Sequence, residues 1–186
     1  MIDRTGIFIG AVVFFLVLLI AIAVYYYRRA RNSAQKDWDS LLSRLTTVDR
    51  SSIAEVALDI IDESGQQRKD EDCAILEPPE IWKLLGGIEG LEALEANTAV
   101  LIDLAFYFQQ RYPEALVVAE QLRLSAREIE WQVKRLKGAA QTGKLEHAFP
   151  MYAQRAAAAY YLMTQRLLDL YEQGDPPMLA ALQKAL

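Results

Sequence analysis

From Leu91 to Leu170 the apolar and small residues keep a three-and-four spacing almost without a break. Leu91, Leu94, Thr98, Leu101, Ala105, Phe108 and Tyr112 make the first run. Ala115, Ala119, Leu122, Ala126, Ile129, Val133, Leu136 and Ala140 make the second. Ala153, Ala156, Tyr160, Met163, Leu167 and Leu170 make the third. Such spacing lays one stripe along an α-helix. Three stripes in succession must bury one another, and the breaks between them are short: Tyr112-Pro113, then a stretch holding Gly138, Gly143 and Pro150. Short connections favour antiparallel neighbours. The pattern predicts an all-α chain with an antiparallel helical bundle, its core over residues 88–173. A second stripe, Ala157, Tyr161, Thr164, Leu168 and Tyr171, runs beside the third, so the last long helix should be the most buried.

Shorter helices should flank this bundle. Trp38, Leu41, Leu42, Leu45 and Val48 have helical spacing. Ser52-x-x-Glu55 has the form of a capping box ahead of Ile53, Ala57, Ile60 and Ile61, with Ser64 and Gly65 as a stop. The polar GQQRKDED stretch reads as a loop. Glu77-Pro78-Pro79-Glu80 restarts helix, since proline suits a first turn. Gly86, Gly87 and Gly90 argue against one regular helix just after it. Gly174 and Asp175-Pro176-Pro177 punctuate a final short helix.

The chain has 186 residues, of which 53% are hydrophobic. Part of that excess is one run, Thr5 to Tyr27, with no charged side chain. Residues 7–27 would make a helix of about 31 Å, matching the roughly 30 Å hydrocarbon thickness of a bilayer. Arg4 precedes the run and Arg28, Arg29, Arg31 and Lys36 follow it. The positive-inside rule then puts the amino terminus out and the rest in the cytoplasm. This reading expects a single-pass protein of the cell membrane. Its parts are a tail at 1–5, a transmembrane helix at 6–27, a basic then helical juxtamembrane segment at 28–50 and a cytoplasmic helical domain at 51–186. Ile7, Phe14, Phe15, Leu19, Tyr25, Tyr26, Tyr27, Arg28, Arg29 and Arg31 would form the anchor, with the bilayer as one partner. Gly6 and Gly10 stand four apart; a homodimer packed through them is one reading, and ordinary glycine usage is the better one.

The formal net charge of −5 is an average over unlike parts. Residues 1–36 carry five basic and one acidic side chain; residues 55–95 carry twelve acidic and three basic. Such a balance argues against a nucleic-acid binder. One Cys and one His exclude a disulfide framework and a soft-ligand metal cage. His147 has no triad motif around any Ser or Cys, and Cys73 sits among Asp70, Glu71 and Asp72, where a thiolate is disfavoured. Glu89, Glu92, Glu95, Glu128 and Glu130 recur at helical spacing, but no E-x-x-H accompanies them, and no phosphate-binding glycine motif occurs. No catalytic residue, metal ligand or cofactor is expected.

Val133-Lys134-Arg135-Leu136-Lys137-Gly138-Ala139-Ala140 resembles the H-x-L-K-G-[AS] segment of histidine phosphotransfer domains, which are four-helix bundles. The resemblance covers about a dozen residues. Lys134 stands where that family has its phosphorylated histidine, so the phosphorelay chemistry itself is not implied, only a similar helix surface. The same segment belongs to a basic cluster: Arg123, Arg127, Lys134, Arg135 and Lys137. These five are candidate partner-binding residues, either for another protein or for the acidic 55–95 region of the chain itself; a solvated, ion-paired face is the plainer reading. The sequence thus points to a non-catalytic helical interaction or scaffold module docking a protein partner at the membrane, with a tethered signalling or phosphorelay accessory as the alternative.

Overall fold

The computed structural model describes residues 8, 10, 12–24, 37–62, 64–68 and 76–186. The chain divides into two compact units, Met1–Lys36 and Asp37–Leu186. In the first, residues 12–24 are helical and exposed. Among the described residues no helix is long and apolar enough to cross a membrane. The expected transmembrane helix is therefore corrected, and the single-pass localisation with a cytoplasmic carboxy-terminal domain is overturned with it. Of the expected anchor residues, Phe14, Phe15 and Leu19 lie in the exposed helical run. Ile7, Tyr25, Tyr26, Tyr27, Arg28, Arg29 and Arg31 lie outside the described residues, as do Gly6 and Cys73.

Among the described residues the second unit is all-α. Its elements are α1 (Trp38–Leu42), α2 (Arg50–Leu58), α3 (Pro78–Leu85), α4 (Gly87–Gln109), α5 (Leu116–Gln141), α6 (Leu145–Gly174) and α7 (Pro176–Ala185), with a 3-10 turn at Pro113–Ala115. The only described extended pairing is an isolated bridge between Ile61 and Gln67. The three long helices are those the apolar stripes call for. Leu91, Leu101, Ala119, Leu122, Ile129, Leu136, Ala153, Ala156, Met163 and Leu167 are all buried in one continuous core. The second stripe on α6 is buried too, through Ala157, Thr164, Leu168 and Tyr171. α6 packs against α2, α3, α4, α5 and α7, so it is the central element of the bundle.

The breaks differ in detail from the sequence expectation. Gly138 lies inside α5, and Pro150 lies inside α6. The turn sits only at Thr142–Lys144, where Gly143 takes a left-handed φ of 69°. There Lys144 N–H donates to the Ala139 carbonyl (2.9 Å) and Gly143 N–H to Ala140 (3.3 Å). That pair of bonds closes the last turn of α5. Pro150 has no N–H, so α6 lacks one rung of its ladder there.

The short elements are set by side chains the periodicity does not show. α2 starts at Arg50, ahead of the expected Ser52 box, because Asp49 caps it. Asp49 Oδ1 accepts from Ser51 N–H (3.0 Å) and Ser51 Oγ (2.6 Å), and Oδ2 from Ser52 Oγ (2.8 Å). α1 stops at Leu42 instead of running to Val48. The chain beyond it is held by Asn97, which engages both backbone groups of Thr46. α3 begins at Pro78 as its prolines require, with Glu77 N–H donating to Glu80 Oε2 at 3.2 Å. Gly86 ends it in a left-handed conformation, and α4 starts at once. Gly90 lies within α4, where a Cβ would collide with the Leu85 carbonyl oxygen.

Candidate interaction surface

α5 shows two faces. Its seam, Ala119, Leu122, Ile129, Val133 and Leu136, is buried against α4 and α6. Its opposite side faces solvent, yet it is not wholly polar. Val117 is 64% exposed, Leu124 66% and Trp131 46%, with Leu116 beside the first. Val117, Leu124 and Trp131 are seven residues apart. Seven residues bring a helix back to within about 20° of the same direction, so the three share one line along the outer surface. Apolar side chains left on a surface singly need no explanation; these three repeat along one line.

The five expected partner-binding residues all lie on α5, but the structure divides them. Arg123 is turned inward: it pairs with Glu120 and lies over the Phe106 ring at 4.4 Å. Lys137 bridges to Glu92 at 2.9 Å and Glu95 at 3.7 Å on α4. Its hydrogen bond to Glu92 raises its pKa above the usual lysine value. This is the contact with the acidic 55–95 region that charge alone suggested, and it occupies Lys137 within the chain. Arg135 lies over the Trp131 ring at 4.6 Å, and Trp131 in turn meets Tyr152 of α6 edge-on at 6.0 Å. Arg127, Lys134 and Arg135 are exposed beside the apolar row. The outer face of α5 is therefore Val117, Leu124 and Trp131 with Arg127, Lys134 and Arg135 alongside, accompanied by Glu120 and Glu128.

Sequence reasoning missed the apolar half of this surface. Val117, Leu124 and Trp131 fall between the seam positions, and one apolar residue per heptad is too sparse to stand out from them. Their strict seven-residue repeat was the available signal.

A second apolar feature lies where α3 and the first turns of α6 meet. Pro78, Pro79, Trp82, Leu145, Phe149 and Pro150 line a groove of about 510 Å³. Trp82 stacks at a tilt on Phe149, ring centroids 4.4 Å apart, and remains substantially exposed.

Several polar groups inside the bundle bond across elements. Tyr171 Oη donates to the Leu104 carbonyl at 2.9 Å, and burial pushes its phenol well above its usual pKa. Burial likewise raises Tyr160, whose hydroxyl accepts from Asn97 Nδ2 at 3.2 Å. Gln154 Nε2 donates to the buried Asp59 at 2.6 Å, tying α6 to the end of α2. His147 is exposed in the first turn of α6. Among the described residues no group of three or more His, Cys, Asp and Glu side chains is placed to hold a metal ion.

Compared with known proteins, the chain matches no family model, no curated protein and no solved structure.

Proposed function

We propose that residues 37–186 form a non-catalytic helical interaction module that docks a protein partner on the outer face of α5. The observation that carries this reading is the row of exposed Val117, Leu124 and Trp131 at seven-residue spacing. Each leaves apolar surface in water at a cost of about 25 cal/mol per Å², which a partner helix would recover. Arg127, Lys134 and Arg135 beside the row supply orientation and encounter rate more than affinity. Trp and Arg are the side chains that most often dominate such contacts. The phosphorelay alternative rests on the 133–140 segment alone, and within it Lys137 is committed to Glu92 and Glu95.

The test is affinity capture by the immobilised full chain, compared with a Leu124→Glu/Trp131→Glu variant of unchanged melting temperature. A partner retained by the parent chain and reduced at least about tenfold by the variant is the expected result, since truncating central anchors costs about 2 kcal/mol or more. Identical capture by both proteins would sink the reading.

A further inference from the structure

The groove between α3 and the first turns of α6 carries a single charge. Among the described residues, Glu146 is the only ionisable side chain in its lining. Glu146 is exposed and makes no ion pair with another described residue. Lys144 and His147, close to it in the chain, and Lys83, next to Trp82, line no part of the groove. Trp82 lies in the same lining with 43% of its surface exposed. The indole is nevertheless held in place. Phe149, only 2% exposed, packs against it, and Gly87 approaches so closely that a Cβ there would come within 2.8 Å of the ring. An aromatic ring fixed in this way has little freedom left to lose when a ligand covers it.

A carboxylate without a partner and an exposed indole in one apolar groove together call for a cation. Arginine serves both at once, because its planar guanidinium stacks on an aromatic face and pairs with a carboxylate. The rest of the lining bears on what carries that arginine. Pro78, Pro79 and Pro150 have no N–H to offer an incoming backbone, so the groove is poorly suited to an added strand. A polyproline II segment needs no such donors: its backbone stays solvated, and it docks by its rings on aromatic-lined grooves. We infer that the groove takes an arginine-bearing polyproline II segment of a partner protein. The guanidinium lies on Trp82 and pairs with Glu146, and the ligand's proline rings pack on the apolar remainder of the lining. This site uses no residue of the α5 face and does not depend on the reading of that face.

The experiment is fluorescence polarisation of the full chain against three labelled peptides. One is decaproline with a central arginine, one is the same peptide with citrulline in place of the arginine, and one is a glycine–serine peptide with the same arginine. The parent chain should bind the arginine decaproline about tenfold more tightly than the citrulline form, which keeps the shape and loses the charge. It should also prefer it to the glycine–serine peptide, a flexible coil that loses more entropy on binding. Glu146→Gln, at an exposed position, should erase the preference for arginine over citrulline and leave the citrulline peptide's affinity unchanged. Trp82→Leu should weaken both proline peptides at least about tenfold; should that variant fail to fold, Glu146→Gln decides alone. No saturable binding of the arginine decaproline, an arginine preference that survives Glu146→Gln, or equal binding of the glycine–serine peptide would overturn the inference. Self-association of the chain that is lost in folded Trp82→Leu would give the groove to a second copy and overturn it as well.

Discussion

Asn97 holds Thr46 by both of its backbone groups: Oδ1 accepts from Thr46 N–H at 2.8 Å, and Nδ2 donates to the Thr46 carbonyl at 2.7 Å. The second Nδ2 hydrogen reaches the Tyr160 hydroxyl at 3.2 Å. One buried amide thus joins the α1–α2 connection to α4 and α6. Removing it leaves buried backbone groups unsatisfied, at about 1–3 kcal/mol for each such loss. Asn97→Ala is therefore expected to destabilise by about 2–4 kcal/mol. Its signature is fast hydrogen exchange at the Thr46 amide while α5 amides stay protected. Continued protection of Thr46 would mean the segment is held by something else.

Two glycines in helices should respond with opposite signs. Gly90→Ala drives a methyl into the Leu85 carbonyl, where backbone must move; a loss of about 1–3 kcal/mol is expected. Gly138→Ala adds a methyl to open space on an exposed helix face and should gain about 0.5–1 kcal/mol. Urea titration of the two variants separates them, and shifts in the same direction would refute the comparison.

Stability should fall in acid through Asp49. Hydrogen bonds from the Ser51 and Ser52 hydroxyls and the Ser51 N–H hold its carboxyl down at about 2, against an ordinary 3.8. A depressed carboxyl pKa contributes stability that is complete above the ordinary value and is lost as pH falls through the folded one. Asp49→Asn keeps a capping oxygen without the charge. Its melting temperature should lie below the parent's near neutral pH, and the gap should close as pH falls from 3.8 toward about 2. A gap independent of pH would show that the Ser51 and Ser52 bonds do not depend on ionisation.

Neighbours on α5 should differ sharply in tolerance. Leu136 is wholly buried. Leu136→Asp places an unpaired charge in the core and should abolish the cooperative melt, while Leu136→Ala should cost about 2–5 kcal/mol. Lys137 is half exposed in its pairs with Glu92 and Glu95. Exposed pairs are screened by salt and contribute little, so Lys137→Gln should shift the melting temperature slightly, and less at high salt than at low. A well-folded Leu136→Asp protein would contradict the assigned seam.

The long helices were legible because their buried stripes repeat locally. Leu91 to Phe108 and Ala153 to Leu170 carry their own period and need no distant information. The end of α1 was not legible. Leu45 and Val48 keep the helical spacing, but the chain there is bent to Asn97, 51 residues away. The start of α2 was misplaced for a local reason: Asp49 and Ser52 offer competing caps, and Asp49 serves two serines at once. The 5–27 run was read from hydropathy and flanking charge, and among the described residues no helix is long and apolar enough to cross a membrane. Of the candidate site, the basic residues were visible as charge. Which of them remain outward was not, because Arg123 and Lys137 are turned away by Phe106, Glu92 and Glu95, all on α4.

The bond from Gln154 to Asp59 links residues 95 positions apart, whereas α5 and α6 are joined by a turn of three residues. Contacts that close short loops form early, and those that close long ones wait. On that ground the α5–α6 hairpin is expected to form before α2 docks. A substitution at Asp59 would then leave the refolding rate nearly untouched and speed unfolding instead. The same bond that fastens α2 in the native protein works as a latch against opening, with little influence on how fast the bundle is first assembled.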